Sequence, residues 1–263
     1  MNPIDQLFTR LKAERKKAFI PFITAGDPDL ETTAKLLREC VKRGASLIEI
    51  GFPYSDPIAD GSVIQASYTR ALSRGLTVDA IFGAMRTLNV NVPLVAMVSY
   101  SLVHHRGPKR FIADAKAAGF SGAIVPDLPV DEAVELAKMA AKHDFKLILL
   151  VTPTTPRERA QKIAQLSTGF LYCVSVVGIT GERSQLPPDL LEQLRWLRTQ
   201  TTLPMCVGFG ISTPAHVKTL RDSADGVIVG SAIVRRLEAK KAIDEIVKDV
   251  GDLVQHLGDA LHE

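Results

Sequence analysis

Residues 18–51 read AFIPFITAGDPDLETTAKLLRECVKRGASLIEIG and contain a complete strand–helix–strand unit. Two short apolar runs, Ala18–Ile23 and Ser46–Gly51, are typical of buried strands. Between them, Leu30–Arg43 has apolar residues at helical spacing. Two strands joined by a helix of this length lie parallel in one sheet. The stretch therefore predicts an α/β fold built on a parallel sheet.

The same alternation of strand and helix continues along the chain of 263 residues. The candidate strands are eight short apolar runs: Ala18–Ile23, Ser46–Gly51, Pro93–Ser99, Gly122–Val125, Lys146–Val151, Gly169–Val174, Pro204–Val207 and Gly226–Val229. Eight units without a Ser- or Gly-rich linker favour a single (β/α)8 TIM barrel domain over residues 1–263. The alternative is an open doubly wound sheet, which normally has fewer strands or a second domain.

Two further helices are expected outside the eight units. Asn2–Leu11 has a capping Asn2, a proline in the first turn and one apolar face. We expect this N-terminal helix to plug the bottom of the barrel. The segment after Lys240 predicts a C-terminal helix that packs on the outside.

The composition excludes several classes of function. The chain is 46% hydrophobic and 23% charged, and its net charge of +3 is spread among mixed acidic and basic residues, so a nucleic-acid surface is not expected. Neither a membrane-spanning run nor a signal peptide is recognisable. The three cysteines lack metal-ligand spacing and are typical of buried thiols in a reducing compartment. We therefore expect a cytoplasmic protein without a metal, nucleic-acid or membrane ligand.

The segment ASLIEIGFPYSDPIADGSVIQ, residues 45–65, places two carboxyl groups in different environments. Glu49 lies in an apolar strand, where a carboxyl group must find a partner or stay protonated. Asp60 lies in the following loop, so the two groups can have different pKa values, as acid–base catalysis requires. The structural alternative is a Glu bonded to backbone and an Asp that caps the next helix. In a barrel both residues lie at the carboxyl ends of strands, where active sites form.

Three later strand ends carry glycines: GITG (178–181), GFGIS (208–212) and GS (230–231). Glycine lets backbone N–H groups approach a ligand closely, and residues 232–234, which follow Gly230 and Ser231, can open a short helix whose N-terminus favours an anion. Ordinary turns would explain each segment alone, but three at successive strand ends predict a phosphate site. The long segment from Val177 to Leu190 predicts a lid, or else an insertion without a role.

Six segments, in order along the chain, match one known family. They are FIPFITAGDP (19–28), LIEIGFPYSDPIADGSVIQ (47–65), VPDLPVDE (125–132), GFLYCVSVVGITG (169–181), GFGIS (208–212) and GVIVGSAIV (226–234). Over residues 19–234 the chain resembles the α subunit of tryptophan synthase. The resemblance implies a lyase of tryptophan biosynthesis that cleaves indole-3-glycerol phosphate to indole and glyceraldehyde 3-phosphate without a cofactor.

The resemblance also implies a role for each matching residue. Glu49 matches the group that protonates indole C3 and relays a proton from the glycerol hydroxyl. Asp60 matches the residue that binds indole N1–H and stabilises the positive charge, and Tyr172 matches a tyrosine near Glu49. Positions that match the family's substrate pocket and phosphate cradle are Phe22, Met97, Ile124, Thr180, Gly181, Phe209, Gly210, Ile228, Gly230 and Ser231. Thr180 matches a lid threonine that meets Asp60 on closure.

The resemblance further implies a partner, the tryptophan synthase β subunit, in an α2β2 tetramer. Pyridoxal phosphate is then expected in that partner, and no cofactor in this chain. Four positions depart from the residues that are usual in the family, and they bear on coupling to the partner more than on chemistry: Phe52, Tyr54, Ser62 and Ser101. Two alternatives remain, a non-catalytic subunit that activates the β subunit and a stand-alone lyase that releases indole.

Overall fold

The computed structural model describes residues 1–57, 60–175, 187 and 189–263, and the strands of these residues form one parallel sheet. Its nine segments are β1 (Ala18–Thr24), β2 (Ile48–Gly51), β3 (Leu94–Met97), β4 (Phe120–Ile124), β5 (Lys146–Ile148), β6 (Leu150–Val151), β7 (Leu171–Val174), β8 (Met205–Gly208) and β9 (Gly226–Val229). Their order in the sheet is β5-β4-β3-β2-β1-β9-β8-β7-β6.

A single interrupted strand closes the sheet into a barrel. Segment β5 pairs with β4, β6 pairs with β7, and only Leu149 separates β5 from β6 along the chain. The Leu149 carbonyl accepts a hydrogen bond from Tyr172 N at 3.1 Å, which continues the pairing across the break. Eight strand positions therefore form a closed ring, so the expected (β/α)8 barrel is confirmed and the open doubly wound sheet is wrong.

Helices follow the strands and cover the outside of the barrel. They are α1 (Pro3–Ala13), α2 (Leu30–Lys42), α3 (Ser62–Leu72), α4 (Val78–Thr87), α5 (Tyr100–Arg106), α6 (Pro108–Ala117), α7 (Ala133–Lys142), α8 (Arg157–Leu166), α9 (Asp189–Gln200), α10 (Pro214–Leu220), α11 (Ser231–Val234) and α12 (Ile243–His262), with a 3-10 turn at Arg235–Glu238. The sequence pattern gave no bounds for α3 or α5, and only the structural alternative for Asp60 implied a helix after that residue. Helix α3 begins after Gly61 without a side-chain cap, and α5, although Ser99 caps it, spans only seven residues, too few to show a helical period.

Alternating strand residues divide the core into two layers. On β1, Ile20 and Phe22 face the barrel interior, whereas Phe19 and Ile23 face the surrounding helices. We call the interior set the inner cluster; its strand members include Ile20, Phe22, Val95, Met97, Ile124, Ile148, Tyr172, Val174, Cys206 and Ile228, and Leu47, just before β2, also belongs to it. Phe52, one of the four departures, is buried in the outer layer against the rings of Phe82 and Phe120.

The N-terminal helix seals one end of the inner cluster, as the sequence predicts. Ile4, Leu7, Phe8 and Leu11 are buried members of that cluster, and the Phe8 ring lies 5.8 Å from the ring of Phe170.

The C-terminal helix and the three cysteines also agree with the sequence predictions. Helix α12 lies on the outside of the barrel against α2 and α10, where its apolar face is buried. The three cysteines are buried and free. Within the described residues, no helix combines the length and the apolar character needed to cross a membrane.

Candidate active site

Strand β2 carries Glu49 into the barrel interior. Its neighbours in register are Phe22 of β1 and Val95 of β3, both of which belong to the inner cluster. The side chain is buried, and its Oε2 atom has no hydrogen-bond partner among the described residues. Burial, and to a smaller extent the charge of Asp60, raises the pKa of Glu49 to about 8. The carboxyl group is therefore protonated at neutral pH, which suits a proton donor.

Asp60 lies at the start of the segment that leads into α3. Its backbone is held on both sides, because Asp60 N donates to the Pro57 carbonyl at 3.1 Å and Gln65 Nε2 donates to the Asp60 carbonyl at 2.7 Å. Gly61, not Asp60, is the N-cap of α3, and that helix has no side-chain cap. Burial, followed by the charge of Asp127, raises the pKa of Asp60 to about 6. This carboxyl group is mostly ionised at neutral pH.

The two carboxyl groups face one cavity of about 470 Å³ at the carboxyl ends of the strands. The lining is otherwise apolar, with glycines and Ser231 on one side. Its residues are Phe22, Glu49, Asp60, Ile64, Met97, Tyr172, Phe209, Gly210, Ile211, Ile228, Gly230 and Ser231. An apolar pocket with a few convergent polar groups is the usual form of a small-molecule site. A second cavity, of about 400 Å³, adjoins the first and shares Asp60 and Met97 with it.

Two buried tyrosines stand beside the carboxyl pair and remain protonated. Burial, reinforced by the charges of Glu49 and Asp60, raises the pKa values of Tyr68 and Tyr172 well above their ordinary value. Strand-end glycines leave the space for them. A Cβ atom on Gly51 would lie 3.0 Å from the Tyr68 hydroxyl, and one on Gly208 would lie 2.2 Å from the Tyr172 hydroxyl.

The turn after β8 places an aromatic ring over the cavity at a cost in backbone strain. Phe209 has a φ of +71°, a left-handed conformation that residues other than glycine rarely adopt. Its carbonyl accepts a hydrogen bond from the Ser175 hydroxyl, and its ring meets the Tyr172 ring edge-on at 5.9 Å. Strain of this kind is concentrated at functional sites.

Gly230 and Ser231 supply a second polar surface to the cavity. The first hydrogen bonds of α11 run from Ile233 N and Val234 N to the Gly230 carbonyl, so the N–H groups of Ser231 and Ala232 precede the helical ladder. Backbone N–H groups in this position can donate to an anion.

The structure brings together nearly all of the described residues that the sequence singled out. Glu49, Asp60 and Tyr172 share the cavity with the expected pocket residues Phe22, Met97, Phe209, Gly210, Ile228, Gly230 and Ser231. Ile124 is buried in the inner cluster but does not line this cavity. Thr180 and Gly181 lie outside the described residues, as does most of the expected lid from Val177 to Leu190.

Two residues that line the first cavity, Ile64 and Ile211, were not expected, and neither was Tyr68 of the second cavity. Ile64 and Tyr68 lie on one face of α3, four residues apart, and recognition of that helix would have predicted both. Ile211 lies within GFGIS, a segment that was interpreted only through its glycines. In the described part of the chain, no group of His, Cys, Asp and Glu residues could hold a metal ion.

Comparisons with known proteins agree with this site. The sequence model of the family described as "Tryptophan synthase alpha chain" matches residues 8–262. The tryptophan synthase alpha chain of Rhodopirellula baltica is 47% identical over 269 aligned residues, which cover 100% of this chain and 97% of the relative. That of Rippkaea orientalis is also 47% identical, over 100% of this chain and 99% of its own length.

Solved structures show the same relationship. A crystal structure of tryptophan synthase subunit alpha from Legionella pneumophila superposes with a TM-score of 0.90 at 36% identity, covering 100% of this chain and 99% of that one. A chain of Mycobacterium tuberculosis tryptophan synthase gives a TM-score of 0.90 at 31% identity over 100% and 99% of the two chains. With its barrel, its carboxyl pair and these relatives taken together, the chain belongs to the tryptophan synthase alpha chain family.

Proposed function

We propose that this chain cleaves indole-3-glycerol phosphate to indole and glyceraldehyde 3-phosphate, and that Glu49 and Asp60 perform the proton chemistry. The observation that most supports this is the buried, protonated Glu49 carboxyl group beside the ionised Asp60 in one cavity; its Oε2 has no partner among the described residues. Departure of indole requires a proton at C3 while N1 carries positive charge. An acid and a carboxylate in the same apolar pocket meet both needs.

The reaction can be written as two proton transfers with one bond cleavage. Glu49 donates its proton to indole C3, and the positive charge at N1 is stabilised by the Asp60 carboxylate, which accepts the N1–H hydrogen bond. The Glu49 carboxylate then removes the proton of the hydroxyl on the carbon attached to C3. That oxygen forms the aldehyde C=O, the C–C bond breaks, and its electron pair restores the aromatic ring. Glu49 ends the cycle protonated.

The rest of the cavity serves binding and orientation. Phe22, Met97, Phe209 and Ile228 provide the apolar surface for an indole ring. Gly210, Gly230 and Ser231 line the same cavity, and N–H groups at the start of α11 are suited to the phosphate. Binding energy from the phosphate, remote from the reacting bond, positions that bond for cleavage. Closure of a lid that brings Thr180 to Asp60 stays a prediction.

The name of the relatives, alpha chain, supports a partner subunit for this protein as well. We propose that the chain works with a tryptophan synthase β subunit in an α2β2 tetramer and that indole passes to that subunit. We expect the β subunit, rather than this chain, to hold pyridoxal phosphate. This cofactor is bound through a lysine Schiff base, and none of the described residues that line either cavity is a lysine.

The proposal is tested by measuring indole release from indole-3-glycerol phosphate, with and without the cognate β subunit. We expect turnover that the β subunit stimulates. No turnover even with the β subunit would overturn the catalytic proposal and leave the alternative of a non-catalytic activating subunit. Equally fast turnover without the β subunit would identify a stand-alone lyase.

A further inference from the structure

An ion pair with a buried carboxylate joins the loop after β1 to the helix that follows Asp60. The Asp27 side chain is buried, with 1% of its surface exposed, and it accepts two hydrogen bonds from the guanidinium of Arg70 on α3. These run from Nε to Oδ1 at 3.0 Å and from Nη2 to Oδ2 at 2.7 Å. The Ser67 hydroxyl donates a third, at 2.5 Å. Both ends of this bidentate pair are therefore fixed in orientation.

The same arginine reaches a third part of the barrel. Arg70 Nη1 lies 3.6 Å from Glu238 Oε1, in the 3-10 turn that directly follows α11. Helix α11 itself packs against α3. Arg70 thus connects segments that follow β1, β2 and β9, and all three strands are neighbours in the sheet.

The two helices joined by these contacts, α3 and α11, also carry residues that line the first cavity. Helix α3 begins two residues after Asp60, and its Ile64 side chain lines the cavity. Helix α11 begins at Ser231, which lines the other side of the same cavity. The sheet hydrogen bonds fix the strands, but the described residues 53–57 and 60–61 lie beyond β2 and outside the strand pairing. The Arg70 contacts hold helix α3, which continues from Gly61.

We infer that Arg70 is a positioning residue, which fixes the distance between the Asp60 carboxylate and the anion-binding end of the cavity at Gly230 and Ser231. The inference rests on the proposed function and identifies a residue that the chemistry itself does not require. Arg70 and Ser67 hold the Asp27 carboxylate against α3, and the contact of Arg70 with Glu238 extends the connection to the turn after α11. Without Arg70, Asp60 and the phosphate would no longer be held at the spacing the substrate needs.

A purely stabilising role for the same contacts is the competing explanation, and kinetics separate the two. A structural role changes the fraction of folded protein, whereas a positioning role changes kcat, KM and ligand affinity of the protein that is folded. The chain offers a matched control at Arg43, which follows α2. Arg43 pairs with Glu39 at 2.7 Å and with Asp252 at 3.2 Å, and it contacts neither cavity.

The experiment compares Arg70→Met, Arg70→Lys, Glu238→Gln and Arg43→Met with the wild-type chain, all in complex with the β subunit. Indole release gives kcat and KM, and titration with glycerol 3-phosphate as a probe gives an affinity for the phosphate end. We expect Arg70→Met to lower kcat/KM about 10–100-fold, because small misplacements of reacting groups are costly. We expect Glu238→Gln to weaken probe binding by up to about fivefold, as suits a half-exposed ion pair. Arg70→Lys should retain part of the activity, and Arg43→Met should lower the melting temperature only.

Two results would overturn the inference. In the first, the wild-type complex is active, and the folded Arg70→Met and Glu238→Gln complexes keep its kcat, KM and probe affinity within about twofold. The other is an equal kinetic loss in Arg43→Met. If Arg70→Met does not fold, Arg70→Lys and Glu238→Gln are judged by the same criterion. An inactive wild-type complex would instead contradict the proposed function, so the two failures can be told apart.

Discussion

The two ends of the barrel differ in how a buried polar side chain is hydrogen-bonded. At the end sealed by α1, Asn2 is buried and fully engaged, with Oδ1 accepting from Ile4 N at 2.9 Å and Nδ2 donating to the carbonyls of Ser121 and Asp144 at 3.0 and 2.8 Å. At the open end, Glu49 is equally buried, yet its Oε2 has no partner in the described part of the chain. Both residues are 1% exposed, so burial alone does not distinguish them.

The difference lies in what the rest of the fold supplies. Buried polar groups are nearly always hydrogen-bonded in native proteins, because an unpaired one costs free energy. Asn2 obeys this rule and so contributes to stability. Glu49 breaks it, and its environment also includes a strained Phe209 and a second raised carboxyl pKa at Asp60. Such costs persist at a site whose missing partner is a ligand.

The largest effect should come from Glu49→Gln at the open end. Glutamine keeps the shape of the side chain but cannot transfer the proton, so we expect kcat to fall about 10²–10⁴-fold. Binding of glycerol 3-phosphate should be nearly unchanged. The measurement is indole release with the β subunit present. The matched control is Glu245→Gln, at an exposed position of α12. Substantial residual turnover in Glu49→Gln would remove Glu49 from the proposed role.

The same substitution should stabilise the fold, and more so at high pH. The folded-state pKa of Glu49 is raised from 4.5 to about 8, so between these values the unfolded chain releases a proton that the folded chain retains. The wild-type chain therefore loses stability as the pH rises from about 4.5 to 8, and Glu49→Gln avoids this loss. We expect a gain on the order of a few kcal/mol in unfolding free energy at pH 8.5 and little at pH 4.5. A gain that did not depend on pH would contradict a protonated Glu49.

Asn2→Ala tests the sealed end, where stability rather than activity should respond. The change removes the cap of α1 and the donor to the buried Ser121 carbonyl and the part-buried Asp144 carbonyl, which should cost about 2–3 kcal/mol of unfolding free energy. Chemical denaturation measures this loss. Gln6→Ala, which removes an exposed bond to the Met1 carbonyl, should cost less than about 0.5 kcal/mol. A fall in kcat of the folded Asn2→Ala protein would show that the two ends are not independent.

The sequence predicts the barrel well because its signals are local. Strand β1, helix α2 and strand β2 are recognisable from apolar runs and helical spacing within residues 18–51. The bounds of helix α3 were not predicted, because Gly61 provides no capping side chain, and Tyr68 was missed with them. The positions of Arg70, Asp27 and Glu238 relative to one another depend on how strands β1, β2 and β9 meet in the closed sheet. Contacts between residues so far apart in sequence leave no periodic pattern to detect.

The dependence of turnover on pH joins both carboxyl groups of the open end in one measurement. Glu49 must begin the cycle protonated, and burial raises its pKa in the free protein to about 8, so kcat/KM should fall as the pH rises through that value. Asp60 must be ionised to accept the indole N–H bond, and burial raises its pKa to about 6, so kcat/KM should also fall as the pH drops through that value. The profile is then a bell between these limits, with about a tenfold loss per pH unit beyond each.

The acid limb needs a control, because the substrate phosphate also has a pKa near 6. Asp60→Asn cannot titrate at this position, so its residual activity should lose the acid limb while the alkaline limb remains. If the acid limb persists in Asp60→Asn, the phosphate causes it and Asp60 is not the group that must be ionised. If the alkaline limb of kcat lies far above that of kcat/KM, Glu49 finds in the substrate complex the hydrogen-bond partner that it lacks among the described residues. The two profiles would then measure how much of the free-energy cost of the unpaired Glu49 carboxyl group is offset by substrate binding.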